Sequence, residues 1–295
     1  MIGKWVMDLP PTLDTNSLPV SLGIFHREPG TNRFGFYYLL TRVSAKLPTN
    51  PLLSPLLDRQ LPRGIGMTFD ETMEGWYFPG QFTPSPGRAG DLAIADRIPA
   101  VGAPEVSFTV RMIAADINDF IEGAEHEARM EGSIRFSHFA GIANATFPVD
   151  RQRSYFNYLR VNPDTREAEM RYHLEFTSNE GKRYLLEGRK YMQKDEAIGA
   201  RGPQEVLDDY TTLYSHVYEL TVAGRTELGT AYLKFRTFED LRAVGNLTGF
   251  VAGFRVTGTN DLGMQTMARL RFLAFTAQFV QHEYDPLALP AGAGG

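Results

Sequence analysis

Glu169-Met-Arg-Tyr-His-Leu-Glu-Phe176 and Arg183-Tyr-Leu-Leu-Glu-Gly-Arg-Lys-Tyr191 are the two segments on which our assignment of the fold rests. In the first segment polar and apolar residues alternate, which is the period of a strand with one buried face. Between the two segments, Ser178-Asn-Glu-Gly181 has the composition of a turn. The sequence therefore predicts an antiparallel β-hairpin over residues 169–191.

Further strand-like segments occur on both sides of this hairpin. They are rich in β-branched and aromatic residues, and most of them alternate in polarity. These segments are Arg33–Val43, Met67–Phe78, Glu105–Ile113, Ser133–Phe139, Tyr155–Val161, Thr211–Val222 and Thr230–Phe235. By contrast, residues 80–104 are rich in Gly and Pro and predict a long loop.

Three helices are predicted. The first begins at its N-cap Asp116 and is expected to end at Gly132. The second begins within Phe238–Val244, and the third covers Leu262–Tyr284. The apolar face of the first helix carries Ile117, Phe120 and Ile121. The stripe of the third is formed by Met267, Leu270, Leu273, Ala274, Ala277 and Val280, with Phe272, Phe275 and Phe279 widening it and Arg269 and Arg271 outside it.

These elements predict an α+β fold that is mostly antiparallel β, a curved sheet or lipocalin-like barrel with a long C-terminal helix. We divide the chain into a Pro-rich extended segment (1–64), a first β-rich half (65–194), a second β/α half (195–285) and a flexible tail (286–295). In each half one strand is followed by a helix whose first turn is acidic. This similarity has two interpretations: the halves are related by duplication, or each contains a common α+β unit.

Composition excludes several kinds of chemistry. The 295 residues contain no Cys, which excludes disulfides, Cys-ligated zinc, iron–sulfur clusters and thiol catalysis. The formal net charge of -5 argues against a general nucleic-acid binder, although residues 1–64 hold seven Lys/Arg against four Asp/Glu. No long apolar run predicts a transmembrane helix or a signal sequence, and we expect a cytoplasmic protein.

Common catalytic and cofactor motifs are missing from the sequence. It contains no Gly-x-Ser-x-Gly, no P-loop, and no Gly-x-Gly-x-x-Gly after a strand. These absences argue against a serine hydrolase of the elbow type, a P-loop nucleotide site and a dinucleotide-binding module. We therefore predict no cofactor.

Carboxylates beside aromatic residues suggest acid–base chemistry in the strand at 67–78. Asp70, Glu71 and Glu74 precede Trp76 and Tyr77, and paired carboxylates near aromatic rings can act as acid and base in a cleft. On a strand, Asp70 and Glu74 share one face and Glu71 lies on the other. The alternative, which we favour, is an edge strand whose charges prevent aggregation.

Histidines supply the remaining catalytic candidates. Glu125-His126-Glu127 with Arg129 could contain a tuned base, but a solvated helix end is the favoured interpretation. His138, His173 and His216 lie on predicted strands and could meet to bind zinc, but no spacing rule identifies such a site, so we predict no metal. The catalytic candidates are therefore Glu71, Glu74, Tyr77, His173 and His216.

Aromatic residues on the strands suggest a pocket for an apolar ligand. Barrels lined by aromatic rings hold such ligands, although cross-strand packing needs the same residues. The residues that we expect to contact a ligand are Trp76, Tyr158, Tyr172, Tyr184, Tyr214 and Tyr218.

Several short stretches, in this order, resemble a domain associated with bacterial glucose–methanol–choline (GMC) oxidoreductases of the cholesterol-oxidase type and with α/β-hydrolase modules. They are Glu71–Gly75, Glu125–Gly132, Met170–Tyr172, Gly181–Lys190, Asp209–Tyr214, Gly229–Leu233 and Glu239–Leu241. The resemblance covers residues 65–285 and implies an oxidoreductase-associated context with sterol or lipid chemistry. It brings no catalytic residues, and the flavin-binding module itself is absent from this chain.

Three functions follow as hypotheses. The first is an accessory or binding module for a lipid-like or sterol-like small molecule, in the context of a GMC-type oxidoreductase. The second is a cofactor-free isomerase, cyclase or hydrolase that acts on a lipid-like substrate. The third is a module that docks on a flavoenzyme through residues 1–64.

Overall fold

The structure is a computed structural model. It describes residues 60–82, 87–99, 105–192, 209–235 and 254–284, together with the backbone of two short strands at 6–8 and 33–35. Within 254–284, side chains are described up to Thr276 and again at Phe279.

The described elements are mostly strands. In chain order they are β1 (Val6–Asp8), β2 (Arg33–Gly35), β3 (Gly66–Pro79), α1 (Arg88–Leu92), a 3₁₀ helix (Ala93–Arg97), β4 (Val106–Ala114), α2 (Ile117–Glu122), β5 (Glu127–Phe139), β6 (Ile142–Val149), β7 (Tyr155–Val161), β8 (Ala168–Thr177), β9 (Arg183–Tyr191), β10 (Thr212–Thr221), β11 (Gly224–Phe235), β12 (Arg255–Thr257) and α3 (Leu262–Tyr284).

Antiparallel strands close into an eight-stranded β-barrel in the order β3-β4-β5-β6-β8-β9-β10-β11. The barrel closes because the last strand returns to the first, with Tyr232 of β11 opposite Trp76 of β3. Strand β7 shares the position of β6 between β5 and β8. β12 pairs with the start of β3, and β1 pairs with β2. This confirms the predicted α+β, barrel-like fold class.

Alternation of side chains gives the barrel an apolar interior. Along β4, for example, Val106, Phe108, Val110 and Met112 are buried and the residues between them are more exposed. We call the end at which β5 turns into β6 and β10 into β11 the hairpin end. Six aromatic residues in mutual ring contact fill it: Tyr77, Phe136, Phe139, Phe147, Phe176 and Tyr184.

The opposite end, which we call the helix end, is where β3 begins and β9 ends. There α3 packs its Phe272 ring against Tyr158, Phe254 and Phe69, with ring centroids 5.3, 4.9 and 6.5 Å away. Phe120 of α2 completes this contact at 6.2 Å from Phe272. Helices therefore close one end of the barrel and strand side chains fill the other.

Helix α2 is much shorter than predicted. Asp116 is its N-cap as expected, and its carboxylate accepts hydrogen bonds from the amides of Asn118 and Asp119. The helix ends at Glu122, and β5 begins at Glu127 instead of near residue 133. The prediction was wrong because pairing with β4 and burial of alternate residues from residue 128 onward outweigh local helix propensity.

The predicted loop at 80–104 also contains structure. Its described part includes α1 and the 3₁₀ helix, which lie against the outside of the barrel and bury Asp91 and Ile94. No side chain caps α1 at Gly87. These short helices depend on contacts with the barrel wall, which a local sequence pattern does not contain.

The bounds of α3 match the prediction, but its buried face is rotated. Leu270 is 42% exposed, whereas Arg271 is 1% exposed. Arg271 donates hydrogen bonds to Asn118 Oδ1 and, at 2.6 Å, to Glu122 Oε1. The apolar stripe predicted from the sequence was therefore wrong at positions 270 and 271, because α2 supplies polar partners for a buried guanidinium.

Some predictions lie partly or wholly outside the described residues. Of the strand predicted at 33–43, only residues 33–35 are described, and they form β2. The helix start at 238–244 and the tail at 286–295 fall among residues that are not described. Strands from both predicted halves share one sheet. Among the described helices, none is both long enough and apolar enough to cross a bilayer.

Asn118 joins three parts of the helix end, so its loss should destabilise the fold. Its side chain bonds the Leu61 amide at 3.1 Å and the Leu61 carbonyl at 2.9 Å, and it also accepts from Arg271. We expect Asn118→Leu to reduce the free energy of unfolding by about 2–4 kcal/mol, because it leaves buried polar groups unpaired. Urea unfolding followed by circular dichroism measures this loss.

The matched control is Asp119→Asn, one residue further along α2, where the carboxylate pairs with Arg63 on the exposed surface. Its effect on the free energy of unfolding should be much smaller than that of Asn118→Leu, because solvent screens this exposed pair. Equal stabilities of the two variants would contradict the role that we assign to Asn118.

Candidate functional site

An ion pair lies inside the otherwise apolar barrel. Glu71 of β3 and Lys190 of β9 point inward and are 4% and 2% exposed. Lys190 Nζ donates a hydrogen bond to Glu71 Oε1 at 2.8 Å. The hydroxyl of Tyr172 on β8 contacts both carboxylate oxygens, at 3.0 and 2.9 Å. We call Glu71, Tyr172 and Lys190 the interior triad.

Strand register brings the triad together. Tyr172 lies opposite Gly188 on β9, and Lys190 is the next inward-facing residue of that strand. A Cβ at Gly188 would lie 2.8 Å from Leu213 Cδ1 and 2.7 Å from Ser215 Oγ. A larger residue at 188 would therefore disturb the wall next to the Tyr172 ring.

Lys190 lies among aromatic rings and has few hydrogen-bond partners. Its Nζ atom is 5.0 Å from the ring centroid of Tyr172, 5.5 Å from Phe235 and 5.7 Å from Tyr210. Within the described part of the chain, Glu71 is its one hydrogen-bond acceptor. An ammonium group has three N–H donors, so two of them have no acceptor among these residues.

Next to Lys190, one interior polar atom has no hydrogen-bond partner at all among the described residues. Ser215 of β10 is completely buried opposite Gly188, and its Oγ has no hydrogen-bond partner among the described residues. Unsatisfied buried polar groups are uncommon in folded proteins and call for an explanation. Here such a group lies on β10, the strand next to β9, which carries the partly satisfied ammonium of Lys190.

Burial shifts the pKa values within the triad. Desolvation lowers the pKa of Lys190, and the charge and hydrogen bond of Glu71 only partly oppose this effect. Desolvation, the charge of Glu71 and their hydrogen bond raise the pKa of Tyr172 well above its ordinary value. Tyr172 is therefore a protonated donor near neutral pH, whereas the cationic form of Lys190 depends on Glu71.

Hydroxyl groups link Tyr210, an aromatic neighbour of Lys190, to helix α3. Tyr158 Oη lies 3.1 Å from Tyr210 Oη and 3.0 Å from Thr276 Oγ1. Burial raises the pKa of Tyr158 to about 12. A register shift in β7, with Leu159 at φ 48°, accompanies the inward position of Tyr158.

A second charged cluster lies on the outer wall. His216 Nε2 is 3.0 Å from Asp91 Oδ1, and His216 Nδ1 is 3.1 Å from Glu227 Oε1. Tyr191 Oη donates to the other oxygen of Asp91 at 2.5 Å. We call Asp91, Tyr191, His216 and Glu227 the wall cluster. It fastens α1 to the outside of β9, β10 and β11.

The wall cluster is suited to fastening and poorly suited to catalysis. Burial lowers the pKa of His216, but hydrogen bonds to Asp91 and Glu227 and their charges outweigh burial and raise it. Both ring nitrogens face carboxylates, so the imidazolium is favoured and neither nitrogen is free to act as a base.

The five catalytic candidates do not converge on one site. Glu71 belongs to the interior triad, whereas Glu74 lies half-buried on the outer face opposite Lys234. Tyr77 lies at the hairpin end, where its hydroxyl donates to the Leu228 carbonyl at 3.2 Å and burial raises its pKa to about 12. His173 and His216 lie on the outer wall. His173 stacks on Tyr155 and contacts Glu175 at 3.3 Å.

The expected ligand contacts divide between the two faces of the barrel. Tyr158, Tyr172 and Tyr184 are inside, although Tyr184 belongs to the hairpin end. Trp76, Tyr214 and Tyr218 are on the outer face, where the first two contact Tyr232. Only Tyr158 and Tyr172 of the predicted set are close to Lys190 or its aromatic neighbours.

The other two histidines with described side chains, His126 and His138, have a local partner or are exposed. His126 follows α2 in a loop instead of ending a helix, and its Nδ1 lies 2.9 Å from the Phe120 carbonyl oxygen. Glu125 pairs with Arg160 at 3.0 Å, and His138 is exposed on β5. In the part of the chain that the structure describes, no group of three or more His, Asp or Glu residues could hold a metal ion.

Sequence reasoning did not single out Lys190, Tyr210 or Asp91. Lys190 is an even number of residues away from Tyr184 and Leu186 on β9, so the three side chains share the inward face of the strand. The predicted hairpin therefore already indicated an inward-facing lysine. Asp91 carried no such signal, because it lies in the segment that was predicted to be a loop.

Comparison of this chain with protein-family models, with curated proteins and with solved structures finds no match. The class of the molecule is therefore defined by its own features, as an antiparallel barrel with a buried Glu–Tyr–Lys triad. The resemblance to a domain associated with GMC oxidoreductases stays a prediction.

Removing one member of the buried ion pair should cost more stability than removing both. Lys190→Met leaves the Glu71 carboxylate buried with Tyr172 alone, and we expect a loss of about 3–5 kcal/mol in unfolding free energy. Lys190→Met combined with Glu71→Leu should recover most of that loss. Urea unfolding measures both, and Lys182→Met in the exposed β8–β9 turn is the control. A double variant no more stable than the single one would argue against the pair.

Stability should depend on pH through His216. Its folded pKa is raised above the ordinary 6.5, so its contribution is fully present below 6.5 and is lost as pH rises through the folded pKa. We expect wild type to be more stable than His216→Gln at pH 6, and the difference to shrink toward about pH 9. Urea unfolding across this range, with exposed His138→Gln as control, tests the sign. A difference that grows with pH would contradict it.

Proposed function

We propose that this protein binds a neutral, apolar small molecule inside the barrel, with a hydroxyl or carbonyl oxygen of the ligand accepting a hydrogen bond from Lys190. The observation that carries the proposal is the incomplete hydrogen bonding of the buried Lys190 ammonium. A ligand oxygen would satisfy a donor that the described residues leave unpaired. The buried Ser215 hydroxyl, which has no hydrogen-bond partner among the described residues, lies on the same wall.

Charge balance supports a neutral ligand. The positive charge of Lys190 and the negative charge of Glu71 cancel inside a desolvated barrel. A fatty acid would add a second carboxylate beside Glu71, and an unbalanced buried charge is costly. Sterols, long-chain alcohols, ketones and aldehydes add a polar oxygen and no charge, so these neutral lipids fit the site better than acids.

We place the apolar part of the ligand against aromatic side chains near the helix end. Phe156 lies 4.7 Å from Tyr172, ring centroid to centroid, and it also contacts Phe69 and Tyr158. The hairpin end is already filled by aromatic rings in mutual contact. We therefore propose that the ligand enters at the helix end, which α3 closes, so that entry requires Phe272 of α3 to move away from Tyr158 and Phe69.

The sequence resemblance suggests a setting for such a binder. An accessory protein that holds a neutral lipid could serve a flavin-dependent oxidoreductase of the GMC type, and we keep that association as a proposal. Co-purification with such an enzyme tests it. Docking through residues 1–64 concerns a part of the chain that is largely outside the described residues.

Binding of cholesterol, 1-hexadecanol and palmitate, measured by native mass spectrometry and by isothermal titration, tests the ligand class. We expect the two neutral lipids to bind and palmitate to bind more weakly. A hydrogen bond from a charged group contributes about 1.5–3 kcal/mol, so loss of Lys190 should weaken binding by roughly 10- to 100-fold.

The test variant is Lys190→Met with Glu71→Leu, which removes both charges, and Lys182→Met is the control. Retained binding in the control and weakened binding in the test variant would support the proposal. Failure of every neutral lipid to bind, or tight palmitate binding that is independent of Lys190, would overturn it.

A further inference from the structure

We infer that Lys190 forms an imine with the carbonyl carbon of an apolar aldehyde or ketone held in the barrel. The inference rests on the proposed function and deepens it, because it assigns a reaction to one class of neutral ligand. It starts from geometry: an inward-facing amine, a carboxylate in contact with it, and aromatic rings on its other sides.

A lysine attacks a carbonyl carbon only as the neutral amine, so a nearby group must accept the ammonium proton. Glu71 Oε1 is 2.8 Å from Nζ, within direct transfer distance. Transfer converts a desolvated ion pair into a neutral amine and a neutral acid, which burial favours. Burial also lowers the pKa of Lys190 in the resting site.

The reaction balances with the residues present. The Nζ lone pair forms a C–N bond, the C=O π electrons move to oxygen, and that oxygen takes the proton held by Glu71. Glu71 then accepts a second proton from nitrogen and returns it to the hydroxyl group as the C–O bond breaks. The three protons of the ammonium end as one on the protonated imine and two on the released water.

The protonated imine suits the site as well as the ammonium did. It carries one positive charge at the same nitrogen, facing the restored Glu71 carboxylate and the rings of Tyr172, Tyr210 and Phe235. Tyr172 keeps its proton and continues to hold Glu71. Because Lys190 is 2% exposed, bulk water has little access to hydrolyse the product.

Other described lysines lack this setting and provide internal controls. Lys182 is exposed in a turn near Glu180, and Lys234 lies on the outer face over Tyr232. Neither lies inside the barrel. An apolar carbonyl compound should therefore react at Lys190 in preference to both, whereas a polar aldehyde in water should reach the two outer residues first.

Reductive trapping tests the inference on the full chain. The protein is incubated with decanal or with the steroid ketone androstenedione in the presence of sodium cyanoborohydride, which reduces an imine to a stable secondary amine. Intact-mass measurement and peptide mapping then locate the adduct. Among the described lysines we expect the adduct at Lys190, and glyceraldehyde should instead label Lys182 and Lys234.

Two variants distinguish chemistry from folding. Lys190→Arg keeps a cation for Glu71 and removes the nucleophile, so it should give no adduct at position 190. Glu71→Gln keeps the amine and removes the proton acceptor, so trapping at Lys190 should be at least about a hundredfold slower. Circular dichroism of both variants establishes that the barrel is intact. Lys190→Met with Glu71→Leu replaces Lys190→Arg if that variant does not fold, and Glu71→Asp, which draws the carboxylate back from Nζ, replaces Glu71→Gln.

The outcomes separate this inference from the proposed function. An adduct at Lys190 that depends on Glu71 supports the imine. Binding of neutral lipids without trapping, or adducts confined to outer lysines, overturns the imine and leaves the binding proposal standing. Absence of binding by every neutral lipid overturns the proposed function and the imine with it.

Discussion

Pairing of β11 with β3 is the constraint on which the rest of the structure depends. Without it the sheet would be open, with two unpaired edges and a single curved face. With it, one face of every barrel strand is withdrawn from water, and any charge on that face must find a partner across the interior. Glu71 is on the first strand of the barrel and Lys190 is on the sixth, so closure brings them within hydrogen-bonding distance.

The interior ion pair is poorly explained as a stabilising device. Desolvating two charges costs several kcal/mol per ion, and replacing a buried pair by well-packed apolar residues is often neutral or favourable by about 1–4 kcal/mol. An apolar pair at 71 and 190 would continue the composition of the surrounding core. Stability alone therefore does not account for a carboxylate, a phenol and an amine at this depth.

Much of the fold could be predicted from local patterns. The hairpin at 169–191 and the bounds of α3 needed only alternation, a turn and a helical period. Errors arose where contacts between distant segments decide the outcome. Pairing with β7 and β4 turned residues 127–132 into strand, and partners on α2 buried Arg271 instead of Leu270. No local pattern contains either contact.

The candidate site was harder to predict, because the type of a residue and its place in the alternation of the strand indicated different environments. Glu71 was assigned to the face opposite Asp70 and Glu74, which agrees with its inward position. The alternation along β9 places Lys190 on the buried face, but a lysine near the end of a strand is ordinarily expected to be exposed to solvent. Its partner is 119 residues away in the chain. Only barrel closure shows that the two belong together.

The two charged clusters differ in how many of their hydrogen-bonding groups lack a partner. This difference distinguishes a cluster that holds α1 in place from one that has capacity to bind a ligand. In the wall cluster His216 uses both ring nitrogens, and Asp91 receives Tyr191 as well, so its bonding capacity is consumed in holding α1. In the interior triad Lys190 uses one of three donors, among the described residues, and has aromatic rings elsewhere around it. A saturated cluster can lose contacts but has little capacity to add a ligand. An unsaturated one inside a barrel has an unmet hydrogen-bonding requirement that a ligand oxygen can fulfil.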